Sequence, residues 1–124
     1  MAKRDMTGAL DVAHLDQFTG GDPALTEEVL GLFAEQVSMW SRVLDPALPD
    51  QAWKDAAHTL KGAALGVGAF PLAEACRAAE EAAEQGPARR DLALARLRLA
   101  ADAALADAAA WRHELTIREL KSPL

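Results

Sequence analysis

Three histidines, one cysteine and a run of acidic residues are the places where this 124-residue chain could do chemistry. His14, His58 and His113 fall on separate predicted elements, and none stands at metal-ligand spacing from a Cys, Asp or Glu. A zinc site of the H-E-x-x-H kind is therefore not expected. The lone Cys76 allows neither an internal disulfide nor a cysteine-rich metal site, which fits a reducing compartment. Glu80, Glu81 and Glu84 bring carboxylate catalysis to mind, but on an exposed helix such groups usually solvate the surface. Neither a G-x-S-x-G elbow nor a Walker A loop is present, and Gly66-Val67-Gly68 lacks the preceding strand that a nucleotide loop requires. Autonomous nucleotide chemistry is not expected.

His58 stands apart because of the helix that carries it. Trp53, Ala57, Leu60 and Ala64 form an apolar stripe. With the stripe centre at zero and 100° per residue, His58 falls at roughly 140°, Gly62 at roughly 180°, Leu65 at roughly 120°, Lys54 at roughly 100° and Lys61 at roughly 80°. The imidazole faces outward, whereas a structural histidine normally lies on or beside the packed face. Lys54 and Lys61, about one turn before and after it, are expected to make a small positive patch that suits an anion. Gly62 costs the helix interior ~1 kcal/mol relative to Ala. It also removes a side chain that would crowd the imidazole, so another macromolecule could approach closely.

Five helices are predicted to position this residue. The first nine residues read as a tail, and a short helix over Asp11–Thr19, with Val12, Leu15 and Phe18 inward, closes at Gly20-Gly21. Asp22-Pro23 supplies an N-cap and a first-turn proline for a long second helix. Its expected stripe is Leu25, Val29, Leu32/Phe33, Val37, Trp40 and Val43/Leu44, ended by Pro46 and Pro49. Asp50 is the expected N-cap of the third helix, which weakens at Gly66 and Gly68. A fourth, with Leu72, Ala75/Cys76, Ala79 and Ala83 inward, stops at Gly86-Pro87. The longest, from about 88 to 117, buries Leu94, Leu97, Ala101, Ala104/Leu105, Ala108, Trp111 and Leu115. The three tryptophans are expected as core anchors among many inward alanines. No window alternates like a strand, so the expected fold is all-α: an antiparallel up-down four-helix bundle with a short additional N-terminal helix. The bundle is placed at 10–118, with tails at 1–9 and 119–124.

Composition narrows the function classes. A length of 124 residues is one domain. The net charge of -6 repels phosphate backbones and anionic lipid, so neither nucleic acid nor membrane is an expected partner. No export signal or membrane-length apolar run is visible, and the cytoplasm is the expected location.

The segment Ala57-His58-Thr59-Leu60-Lys61-Gly62-Ala63-Ala64, followed by Leu65-Gly66-Val67-Gly68-Ala69, resembles the histidine-containing phosphotransfer (HPt) domain family. The resemblance extends upstream through Asp22 and Phe33 and downstream through Leu72, Cys76 and Glu80, covering roughly 10–86; the last helix agrees only in pattern. It implies a four-helix bundle in which His58 is the phosphoacceptor. The phosphoryl group would come from the aspartyl phosphate of one receiver domain, including that of a hybrid sensor kinase, and pass to another response-regulator receiver.

Lys61 would offset the phosphoryl charge. Where the family has a polar residue at the position of Glu80 it is often glutamine. An antiparallel turn centred near Ala69 brings Glu80 level with His58, where a carboxylate could hold the Nδ1 proton, yet would also repel phosphate. A surface carboxylate paired with Lys61 or Arg77 is the plainer alternative. Lys54, Gly62, Leu65 and Phe70 are the expected docking residues, with Phe70 equally placed for the core. No cofactor is expected in the chain, and the receiver would bring Mg²⁺ with its aspartate.

Thr59 stands where sensor-kinase phosphoacceptor domains typically carry an acidic residue, and the short chain has no ATP-binding domain, so self-phosphorylation is not expected. The competing class is a helical-bundle adaptor that only binds a partner protein. A monomer is the expected state.

Overall fold

The structure is a computed structural model that describes residues 6–121. Five helices follow in order: α1 (Val12–Thr19), α2 (Pro23–Val43), α3 (Asp50–Val67), α4 (Phe70–Ala82) and α5 (Pro87–Lys121), with no strand among the described residues. Each of the four long helices packs on two neighbours, α2 and α4 both lying between α3 and α5, while α1 rests on α2 and α3. Short loops make neighbours antiparallel, so Lys54 meets Glu84 across α3 and α4, and Glu27 meets Arg112 across α2 and α5. None of the helices is long and apolar enough to cross a membrane.

Local signals account for most boundaries. Asp11 caps α1 through its bond from the His14 N–H, and Gly20 ends it at φ +66. Asp22 accepts from the Ala24 and Leu25 N–H groups ahead of Pro23. Asp50 is the first residue of α3 rather than its cap, which is Pro49. Its carboxylate instead pairs with Arg90.

The buried stripe of α2 is rotated from the expected one. Thr26, Leu30, Phe33 and Val37 face the core, whereas Leu25, Leu32 and Val43 are exposed. A polar residue can occupy the core here because the Thr26 hydroxyl donates to the Asp22 carbonyl at 2.8 Å and lies 3.0 Å from the Thr19 hydroxyl. Phe18, expected inward, is 65% exposed, because two turns of α1 bury only Leu15 and Thr19 fully. Trp53 and Trp111 are core anchors, but Trp40 is only partly buried. The Trp53 indole donates to the Ala79 carbonyl at 2.7 Å, joining α3 to α4.

Two buried charges were not anticipated. Arg90 sits under the opposite end of the bundle from α1. It donates to the carbonyls of Pro46, Leu48 and Ala83, pairs with Asp50 and lies 5.1 Å over the Trp53 ring, tying the α2–α3 and α4–α5 connections together. Asp107, on α5, accepts from the Thr7 N–H at 2.8 Å and the Leu10 N–H at 3.2 Å. Residues 6–9, expected in the tail, are therefore anchored to α5, with Ala9 buried; the rest of that expected tail, 1–5, lies outside the described residues. At the other end α5 continues to Lys121, so the expected tail at 119–124 is helical to 121, and 122–124 lie outside the described residues.

Cys76 is fully buried in α4, and burial first, then the neighbouring Glu80 charge, pushes its thiol up to about 12. The folded protein should react with a thiol reagent at neutral pH at least about 100-fold more slowly than the denatured chain. An absorbance assay with and without guanidinium checks this, and comparable rates would contradict the burial.

Candidate functional site

The α3–α4 hairpin sets the geometry of the site. Gly68 closes α3 at φ +78, its N–H bonded back to α3 and its carbonyl accepting from the Asp11 N–H at 2.9 Å. A Cβ there would sit 3.1 Å from the Asp11 carbonyl oxygen and 3.2 Å from the His14 Cβ, so both conformation and close approach require glycine. The register this turn imposes brings His58 level with Glu80.

His58 projects from the outer strip of α3, its side chain 71% exposed. Its Nδ1 lies 3.2 Å from Oε2 of Glu80, whose other oxygen, Oε1, is 2.7 Å from the Lys61 Nζ. One half-buried carboxylate thus engages both the imidazole and the lysine, uniting the two readings of Glu80 drawn from the sequence. A carboxylate can only accept hydrogen bonds, so the bonded imidazole carries its proton on Nδ1 and leaves the Nε2 lone pair facing solvent.

The expected positive patch is corrected by the structure. Lys54 pairs with Glu84, which raises the lysine's pKa chiefly through that hydrogen bond, and Lys61 pairs with Glu80. Each cation beside the α3 strip is matched by a carboxylate on α4 or in the turn that follows it, so the surface around His58 is close to neutral. The sequence angles put both lysines on one side of the strip; the Lys61–Glu80 pair was among the readings of Glu80, whereas the Lys54–Glu84 pair was not expected.

Gly62 is open: a Cβ added there would meet no atom within 4 Å, so a methyl group would not crowd the imidazole, and the free space lies toward a visitor. Leu65 is exposed on the same strip. Phe70 is exposed too, but it begins α4, about 15 Å along the bundle axis from the level of His58. There it meets the His14 ring edge-on, with centroids 5.3 Å apart. Phe70 thus belongs to the turn rather than to the surroundings of His58.

An apolar surface that sequence reasoning missed lies on the other flank of α3. Phe18, Val29, Leu32, Phe33, Ala63 and Gly66 are among the residues lining an open groove of about 260 Å³ between α1, α2 and α3. Leu32 is 56% exposed on its rim. Gly62 and Gly66 form the low ground between this groove and His58. The signal was present in α2, whose apolar positions are too many for one buried stripe.

Among the described residues, no group of three or more His, Cys, Asp or Glu is placed to hold a metal ion. A family model described as the Hpt domain matches residues 26–115. The chain belongs to the Hpt domain family. The matched span contains His58, Lys61, Gly62, Leu65, Phe70 and Glu80, while α1 lies before it.

A solved structure agrees with this membership. The crystal structure of the histidine phosphotransferase ShpA from Caulobacter crescentus is similar, with 49% sequence identity and a TM-score of 0.75, over 92% of this chain and 100% of that one. The comparison with curated proteins found no match. The helical-bundle architecture expected from the periodicity is thus that of an Hpt domain, a phosphorelay histidine-phosphotransfer module.

Proposed function

We propose that this Hpt domain carries a phosphoryl group on Nε2 of His58, taking it from the aspartyl phosphate of one response-regulator receiver domain and delivering it to another. A hybrid sensor kinase's receiver is one source. The observation that carries the reading is the pairing of a solvent-facing imidazole with a carboxylate on Nδ1, which leaves Nε2 as the accessible nucleophile.

Docking excludes water and brings Nε2 in line with phosphorus. Lys61 is the cation nearest at hand, and its charge offsets the arriving group by ~1 kcal/mol in water and up to ~4 kcal/mol once the interface is dry. The Mg²⁺ that neutralises the transferring group belongs to the receiver, together with its aspartate. The receiver's apolar face seats across Leu65, Gly62 and the Leu32–Phe18 groove, with Lys54 at the rim. One copy carries the whole set of His58, Lys61 and Glu80, so the domain works as a monomer in the cytoplasm.

Incubation with a phosphorylated receiver tests this: acid-labile, base-stable phosphate should move to the chain. No transfer from any of a panel of receivers would reject the reading. Leu32→Asp should slow transfer at subsaturating receiver about tenfold, through loss of one apolar anchor, with unchanged helicity by circular dichroism. A variant as fast as the wild type would place docking elsewhere.

A further inference from the structure

We propose that the groove between α4 and α5 is a second docking site, and that its occupant is an acidic amphipathic helix of another protein. The site is separate from the phosphoryl chemistry, and nothing in it depends on His58.

The groove is open and has a volume of about 440 Å³. Its floor is alanine: Ala75, Ala78 and Ala82 on α4, Ala93 and Ala100 on α5. Steps of three, four and seven residues put each set on one helical face. So shallow a floor lets the axis of a visiting helix approach to the about 8–10 Å of ordinary helix packing. On the α4 side the lining runs from Pro71 to Gln85, which is roughly 20 Å at helical rise. A helix of about 14 residues fills that length. An extended segment would set unpaired backbone N–H and C=O groups against the alanines, whereas a helix bonds its own. Apolar anchors three, four and seven residues apart are what such a groove reads.

Charge decides the chemistry of the visitor. Arg89 and Arg96 stand on the α5 rim two turns apart, with Leu92 46% exposed between them. Neither guanidinium has an ion-pair or hydrogen-bond partner among the described residues. Lys54, Lys61, Arg77, Arg90, Arg112 and Arg118 are by contrast each matched by a carboxylate. Arg42 and Arg98 share their own pocket with Asp45 and Asp91. In the α4–α5 groove the acidic lining residue, Glu74, is already held by Arg77. A positive, apolar groove therefore stands open on a chain of net charge -6. Carboxylates two turns apart on a visiting helix meet both arginines in charge-assisted bonds, while its apolar stripe covers the alanines and Leu92.

Position gives the site its use. The α4–α5 groove and the Leu32–Phe18 groove, between α2 and α3, lie on opposite faces of the bundle. A partner seated on α4 and α5 leaves the His58 strip uncovered, so the domain can be held in an assembly while that strip stays open to a visitor.

The test titrates the full chain into a fluorescently labelled synthetic helix of about 14 residues, with a leucine stripe flanked by glutamates, and follows anisotropy. Saturable binding is expected. The double variant Arg89→Glu with Arg96→Glu should weaken it at least about tenfold and should bind a version carrying lysines for glutamates instead. Both arginines are exposed, so helicity by circular dichroism should not change. Ala78→Gln, which fills the floor without adding charge, should also weaken binding about tenfold, whereas Leu32→Asp on the opposite face should leave it unaltered. Absence of saturable binding, undiminished binding by the double variant, or equal binding of a version with serines for leucines overturns the proposal. So does a wild-type chain that sediments as a dimer and is made monomeric by Ala78→Gln, which assigns the groove to a second copy.

Discussion

His58→Gln should abolish uptake of acid-labile, base-stable phosphate from a phosphorylated receiver while leaving the helical signal unchanged. The side chain is 71% exposed, so its replacement disturbs no core packing, and glutamine suits an exposed helix position. What disappears is the ring nitrogen lone pair, for which an uncharged amide has no substitute at neutral pH. The other two histidines are poor replacements. His14 is half-buried against Phe70, and His113 stands on α5 rather than on the outer strip of α3. Radiolabel on the wild type alone is the expected gel result; label of equal strength on the variant would move the acceptor to His14 or His113.

Arg90→Met should be the most damaging single change away from the site, costing about 3 kcal/mol of folding stability. Methionine retains the apolar stem, so the loss isolates the guanidinium. That group is buried, and its removal leaves the Pro46, Leu48 and Ala83 carbonyls without their donor. Asp50 is mostly exposed and rehydrates, so the ion pair itself contributes little of the total. The exposed pairs Lys54–Glu84 and Arg77–Glu81, screened by water, contribute little by comparison. A thermal melt should show a drop on the order of 10 °C. A change under about 1 kcal/mol would mean that water reaches the carbonyls and satisfies them.

Much of the molecule could be read from residue types because local and tertiary preferences agree. Pro23, Gly20, Gly68 and Gly86-Pro87 mark helix ends for reasons internal to the backbone. The strip on α3 was legible because the core stripe is unambiguous there, which fixes His58 outward by subtraction. On α2 the same reasoning slipped by about one position, since apolar residues cover more of the helix than the core takes up. Leu25, Leu32 and Phe18 read as core for that reason, and the groove went unseen. The pairing of His58 with Glu80 followed from the turn position, but the simultaneous hold on Lys61 required side-chain coordinates. Arg90 and Asp107 were illegible because charged residues are buried only where several backbone groups converge, a property of the assembled fold.

The bond from Thr7 to Asp107 spans 100 residues of chain and fastens the approach to α1 onto the last helix. During synthesis, α3 and α4 leave the ribosome well before that aspartate does. A nascent chain can therefore display its imidazole early, but the hydrophobic seat walled by Phe18 is locked only once α5 has emerged. Completion of the docking surface is in this way tied to the emergence of α5, not of the helix that carries the imidazole.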